Sequence, residues 1–242
     1  MTASTLHGPE RRAGIYRRSR ETEIALELAL EPGAVRVDTG LGFLDHLVAS
    51  LAFHAGWSLE LACSGDLRVD DHHSAEDCAL ALGEALSAAL AAGGRFRRFG
   101  SAYAPLDEAL ARAVVDLAAR PFCRVSLGLG GCRLGDLAGE NVEHFVSSLA
   151  IASRSCVHLD LLEGVNAHHK AEAAFKALAL ALREACALDA VDGGSAEPGS
   201  PKAPSAKGTV ALERLAAREA RARAAGIRAT AARPRIAPEG GI

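Results

Sequence analysis

Two stretches of this chain carry the same unusual grouping, His72-His73-Ser74-Ala75-Glu76 and His168-His169-Lys170-Ala171-Glu172. Imidazole and carboxylate are the side chains that bind borderline divalent metals, and on a helix residues four apart share a face. His72 with Glu76, and His168 with Glu172, can therefore each grip one ion. The adjacent His73 and His169 point about 100° away on the same turn, so they serve a second metal rather than their neighbour's. A further repeat supplies one more imidazole per copy. Leu44-Asp45-His46-Leu47-Val48-Ala49-Ser50-Leu51-Ala52 is answered by Val142-Glu143-His144-Phe145-Val146-Ser147-Ser148-Leu149-Ala150 at an offset of 98. Symmetry then divides eight ligands into two sets. One ion takes His46, His73, His168 and Glu172, and the other takes His144, His169, His72 and Glu76, so both sites bridge the two repeats. Three imidazoles and a carboxylate leave two positions open on an octahedral ion. That favours two Mn²⁺ per site, with Fe²⁺ or Co²⁺ as substitutes and Zn²⁺ less suited to six-coordination, and open positions mean catalysis rather than a structural clip.

A blander use for the paired histidines, capping helix N-termini, fits poorly, because caps are Asp, Ser or Asn and need no second histidine. Asp71 is expected to supply that cap. His7, His54 and His158 stand alone and read as surface or hydrogen-bonded core residues.

The elements that must hold these groups follow the repeat. After each copy comes an alternating segment, 57–63 and 156–162, which predicts a strand, and then the His-His pair opens an Ala/Leu-rich helix. Each half thus reads helix, strand, helix. Before the first copy, 23–30 and 34–38 suggest a hairpin turning at Pro32-Gly33, with 109–117 and 122–127 as its counterpart turning near Arg120-Pro121. The predicted organisation is an arm at 1–11, a first α/β half at 12–94, a second at 95–191 and a flexible Gly/Ser/Pro-rich loop at 192–209. A C-terminal extension follows at 210–242, Ala/Arg-rich and helical over 210–225, then irregular.

Composition narrows the function classes. With 242 residues and 49% hydrophobic content the chain can bury a real core, and its net charge of -3 offers no basic field for nucleic acid. The six cysteines form no C-x-x-C pair and no disulfide framework, which suits a reducing cytoplasm. The arginine-bearing first twenty residues lack a signal-peptide core. The apolar stretches 78–92 and 171–188 are broken by Glu84 and by Glu172, Lys176 and Arg183, so no membrane span is expected.

Beyond the histidines, Gly40-Leu41-Gly42-Phe43-Leu44-Asp45-His46, Asp70-Asp71-His72-His73 with Glu76-Asp77, and Gly164 through Glu172 form longer signatures. With Arg98-Phe99-Gly100-Ser101-Ala102-Tyr103, Asp107-Glu108-Ala109-Leu110-Ala111-Arg112 and Arg120-Pro121, the sequence resembles the imidazoleglycerol-phosphate dehydratase family from about Arg12 to Gly208. Departures are mild: Ser19-Arg20-Glu21-Thr22 stands for T-K-E-T, and Pro204-Ser205-Ala206-Lys207-Gly208 for P-S-T-K-G.

The resemblance implies an α+β fold of two similar α/β halves, of the ribosomal protein S5 domain 2 type. It also implies a homo-oligomer of cubic symmetry, a 24-mer, with metal sites where subunits meet, and dehydration of a small phosphorylated imidazole in histidine biosynthesis. By the same carry-over Arg98, Arg120, Ser205 and Lys207 hold the phosphate, which suits guanidinium forks, a hydroxyl and an ammonium, and Glu21 approaches the glycerol hydroxyls. Arg95 and Arg97 read as solvated charge. The chemistry explains two metals: the carbinol proton has no carbonyl to acidify it, so the ring, bound as imidazolate, must expel hydroxide to give a diazafulvene. Glu21, or a metal-ligand carboxylate, Glu76 or Glu172, is then the candidate acid and base. Two other classes remain open at this level, a two-metal phosphate-ester hydrolase and a metal-assembled shell protein. The sparse aspartate, the open coordination positions and the Arg/Lys set weigh against them.

Overall fold

The run Thr-Glu-Ile-Ala-Leu-Glu-Leu-Ala is buried almost throughout, and it forms the inner strand β2 (Thr22–Ala29) of a four-stranded sheet. Its neighbours are β1 (Arg12–Arg18), antiparallel in a tight hairpin, and β4 (Ser58–Gly65), also antiparallel. The edge strand β3 (Val35–Asp38) pairs parallel to β4, giving the order β1-β2-β4-β3. Helices α1 (Gly42–Ala55) and α2 (His72–Ala92) follow β3 and β4. The computed structural model describes residues 11–189, together with Gly226.

The second half repeats this order. Strands β5 (Phe99–Leu106), β6 (Ala109–Asp116), β7 (Phe122–Ser126) and, after a two-residue ribbon of β8 (Arg133–Leu134) and β9 (Leu137–Ala138), β10 (Cys156–Glu163) build a sheet ordered β5-β6-β10-β7. Helices α3 (Gly139–Ala152) and α4 (Ala167–Cys186) occupy the places of α1 and α2. The fold is therefore α+β, with two similar α/β halves, as the repeat requires.

The expected hairpin of 23–30 with 34–38 does not form, nor does its counterpart of 109–117 with 122–127. In each half the strand after the first helix inserts between the two segments, antiparallel to one and parallel to the other. The true hairpins are β1-β2 and β5-β6. Pro32-Gly33 and Arg120-Pro121 turn the chain without closing a ladder, because they leave a slot between the two segments that β4 or β10 fills on returning from the edge strand by a parallel crossover through α1 or α3.

The helices lie between the sheets. Each packs on its own sheet and on a helix of the other half, α1 on α4 and α2 on α3, so one hydrophobic core runs through both halves. Gly83 and Gly100 permit two close approaches: a Cβ at Gly83 would lie 2.7 Å from the Leu149 carbonyl, and one at Gly100 would lie 2.0 Å from that of Ala181. Among the described residues no helix is long and apolar enough to cross a membrane.

Candidate metal centres

Helix α1 carries His46 one turn from its start, and α3 carries His144 likewise. In both, the preceding acid ties the helix to the backbone that leaves the parallel edge strand. Asp45 accepts from the Thr39 N–H at 2.7 Å, and Glu143 from the Leu127 N–H at 3.0 Å. The N-termini of these two helices are capped reciprocally across the halves. Asp136 accepts from the N–H groups of Gly42 and Phe43, while Asp71 accepts from Ala138 at 2.6 Å. Asp71 is thus not the side-chain cap of its own helix. That service falls to Asp70, which accepts from the His72 N–H at 2.9 Å, and in α4 to Asn166, which accepts from His168 and His169.

This frame brings six of the eight expected ligands into two clusters, His46-His168-Glu172 and His72-Glu76-His144, with the donor atoms of each within 4.8 Å of one another. Each cluster draws on both halves. In the first, Glu172 Oε2 lies 3.1 Å from His46 Nε2 and 3.2 Å from His168 Nε2. Donors sharing one octahedral ion at adjacent positions sit roughly 3 Å apart, so this set fits a metal with little movement. In the second, His144 Nε2 lies 3.4 Å from Glu76 Oε1 and His72 Nε2 lies 3.7 Å from Oε2.

The surroundings differ. Glu172 receives an ion pair from Lys176 at 2.7 Å. Burial pushes its carboxyl up, but Lys176 and His46 outweigh that and hold it at about 2. His168 lies edge-on to Phe43, with ring centroids 5.1 Å apart. In the other cluster His72 Nδ1 meets Asn141 Oδ1 at 2.9 Å, and the His72 and His144 rings stack at 4.7 Å. An N–H on Nδ1 leaves Nε2 as the lone-pair face, the tautomer a metal needs.

His73 and His169 join neither cluster of their own chain. Their rings stand at 73° and 90° to those of His72 and His168, as adjacent helical positions require. His73 Nδ1 sits 3.2 Å from both oxygens of Asp66, and His169 Nδ1 sits 2.7 Å from Glu108 Oε2. These hydrogen bonds are the leading cause that raises both imidazole pKa values. Glu108 also accepts from the N–H groups of Asn166 and Val165, and with the His169 contact these hold its carboxyl down to about 2. Glu21 is exposed, 3.9 Å from His73 Nε2.

The two described phosphate candidates are elsewhere. Arg98 forms a two-point ion pair with Asp116 at 2.7 and 3.1 Å, and its guanidinium lies over the Phe99 ring. Its backbone bonds to Ala185 and Leu117, placing it at the C-terminal end of α4, and the exposed Arg120 follows in the next loop. Along α4 that is about 25 Å from His168. Ser205 and Lys207 lie outside the described residues, as do the expected loop at 192–209 and, save for Gly226, the extension at 210–242. Sequence reasoning missed the partners Asp66, Glu108, Asn141 and Lys176. In the sequence Glu108 stands only in a signature run without a role, and Lys176 only as a break in an apolar stretch.

A duplicated α/β frame whose halves jointly bring together two candidate metal-binding His-His-Glu groups is the kind of arrangement metal-dependent enzymes use. Residues 39–182 match the family profile of imidazoleglycerol-phosphate dehydratase. The chain is 54% identical to the imidazoleglycerol-phosphate dehydratase of Saccharomyces cerevisiae over 166 residues, covering 69% of this chain and 76% of the yeast protein. It is 49% identical to that of Neurospora crassa over 201 residues, covering 79% and 85%. Among solved structures, that of the Staphylococcus aureus imidazoleglycerol-phosphate dehydratase superposes with TM-score 0.67 at 33% identity, covering 74% of this chain and 99% of the other. The Pyrococcus furiosus structure, in complex with (S)-C348, gives 0.64 at 34% identity, covering 75% and 98%. This chain belongs to the imidazoleglycerol-phosphate dehydratase family.

Proposed function

We propose that this chain removes water from imidazoleglycerol phosphate to give imidazoleacetol phosphate, a hydro-lyase step of histidine biosynthesis, with two Mn²⁺ ions held by the histidine clusters. The observation that carries this reading is the pair of convergent donor sets, each assembled from both halves at spacings an octahedral ion accepts. Three protein donors per cluster leave room for a fourth ligand and for substrate, and mixed imidazole and carboxylate donors suit Mn²⁺. Bound divalent ions supply Lewis-acid polarisation of the substrate's ring nitrogens. The protein groups do the rest. Glu21, exposed beside His73, moves protons at the glycerol carbons. Glu76 and Glu172 act chiefly as donors, and Glu172 remains a carboxylate at any working pH. Arg98 and Arg120, with Ser205 and Lys207 of the 192–209 loop, clamp the phosphate.

One chain cannot supply both ends of that site. The arginines and the histidine clusters sit at opposite ends of α4, a separation far longer than the substrate. His73 and His169 likewise join neither cluster of their own chain, their Nε2 atoms lying 3.9 Å from Glu21 and 3.6 Å from Asp107. We take both facts as support for a homo-oligomer, the 24-mer, in which one copy's His73 and His169 complete clusters on its neighbours and the arginines of another copy meet the phosphate. All six cysteines are free, which suits the reducing cytoplasm. The test is incubation of Mn²⁺-loaded protein with imidazoleglycerol phosphate. The ketone product is expected. Release of inorganic phosphate instead would indicate a hydrolase, and no turnover would indicate an assembly role for the ions.

A further inference from the structure

We propose that Glu108 is a positioning residue that sets the tautomer of His169, because its two oxygens are committed to two tasks no amide can perform together. Each hairpin turn at this end of the molecule ends in a glutamate just before the inner strand, Glu21 before β2 and Glu108 before β6. Equivalent places in the duplication have taken different work. Both are exposed, but Glu21 lies 3.9 Å from His73 Nε2 and makes no side-chain hydrogen bond among those described, while Glu108 Oε1 accepts from Asn166 N–H at 2.8 Å and Val165 N–H at 3.2 Å, and Oε2 faces His169 Nδ1 at 2.7 Å. The first oxygen fixes the turn that starts α4. The second requires the proton on Nδ1, which leaves Nε2 of the neutral ring as the lone pair, 3.6 Å from Asp107 Oδ2 and beyond hydrogen-bond reach of it. In the first half Asp66 orients His73 with both oxygens and makes no second side-chain hydrogen bond among those described.

The asymmetry yields a sharp consequence. In Glu108→Gln, the single carbonyl oxygen stays on the two backbone donors, so the amide NH₂ faces His169. Nδ1 must then accept, the proton moves to Nε2, and that nitrogen binds a metal only at the cost of reversing the tautomer. In Asp66→Asn the amide can turn its oxygen to His73 at no other cost. The inference rests on the reading of His169 as a metal ligand, and the experiment separates the two. The metal-free protein, labelled with ¹⁵N-histidine, is held at a pH where the imidazoles are neutral and its tautomers are read by long-range ¹H–¹⁵N spectra, with His169→Asn identifying the resonance. Mn²⁺ is then titrated into each variant.

The expected result is His169 as the Nδ1–H form in the wild type and as the Nε2–H form in Glu108→Gln. Mn²⁺ affinity should fall about 10- to 100-fold in Glu108→Gln and less than about threefold in Asp66→Asn, with the melting temperature of metal-free Glu108→Gln near that of the wild type. An unchanged His169 tautomer in Glu108→Gln overturns the proposal. So does wild-type affinity in Glu108→Gln alongside weakened binding in His169→Asn. Undiminished affinity in His169→Asn itself overturns the ligand assignment, and the proposal with it.

Discussion

The two histidine clusters are products of one repeat, yet they are not copies. Both use an imidazole from the first helix of one half and an i, i+4 His-Glu pair from the second helix of the other. The Phe43 ring against His168 and the Asn141 amide on His72 occupy matching places in α1 and α3. Lys176, one turn beyond Glu172, has Leu80 as its counterpart beyond Glu76. Duplication supplied the geometry, and divergence around it set the electrostatics. One carboxylate is half-neutralised and tightly held before any metal arrives. The other is looser and depends on a second residue to orient its histidine.

If both clusters are needed, that difference should vanish under the harshest change. His72→Ala and His168→Ala should each reduce turnover by about 10³-fold or more, since a metal's Lewis-acid contribution is several kcal/mol, and each should weaken assembly. Steady-state rates, metal analysis and sedimentation read all three. Retention of full metal content and activity in one variant would make the clusters unequal in function as well as in surroundings.

The paired hairpin turns sharpen the contrast next. Glu21→Gln should lower kcat by at least about a hundredfold while Mn²⁺ affinity stays that of the wild type, whereas the Glu108 variant binds Mn²⁺ about 10- to 100-fold more weakly. A Glu21→Gln protein that loses its metals would place that glutamate among the ligands instead.

Asn141→Leu should cost the second cluster about tenfold in Mn²⁺ affinity, because orienting partners of ligand histidines carry that much. Phe43→Leu should change the first cluster less. The smallest effect concerns Lys176→Met, which removes a cation beside an incoming cation. Affinity at the first cluster should rise by about threefold, as a half-buried pair near the surface is worth on the order of 1 kcal/mol. The Glu172 carboxyl should move up from about 2 toward the ordinary carboxylate range. Isothermal titration measures both affinity changes.

What was legible in the sequence was whatever periodicity writes locally. The i, i+4 pairs, the repeat at 98 and the helix-strand-helix order of each half all depend on near neighbours, and the six cluster residues follow from them. Strand pairing does not. The insertion of β4 and β10 between segments adjacent in sequence is decided by crossovers of 19 residues (39–57) and 29 residues (127–155), so turn signals at Pro32-Gly33 and Arg120-Pro121 point to the wrong partners. That error concealed the likeness of Glu21 and Glu108, which is visible only once β1-β2 and β5-β6 are the hairpins. Asp71 misled for a related reason: it sits where a cap belongs but caps a helix 67 residues away. Lys176 figures in the sequence only as a charge that interrupts the apolar stretch 171–188, and only the fold turns it onto Glu172.

The central claim is that two metal ions, held jointly by the two halves, make the dehydration possible. The most direct measurement strips the protein with chelator, restores Mn²⁺ in steps, and follows bound metal per chain together with ketone formed from imidazoleglycerol phosphate. The account predicts no dehydration in the stripped protein and activity that returns as occupancy approaches two ions per chain. Full activity without metal, or with the second ion still absent, would contradict it.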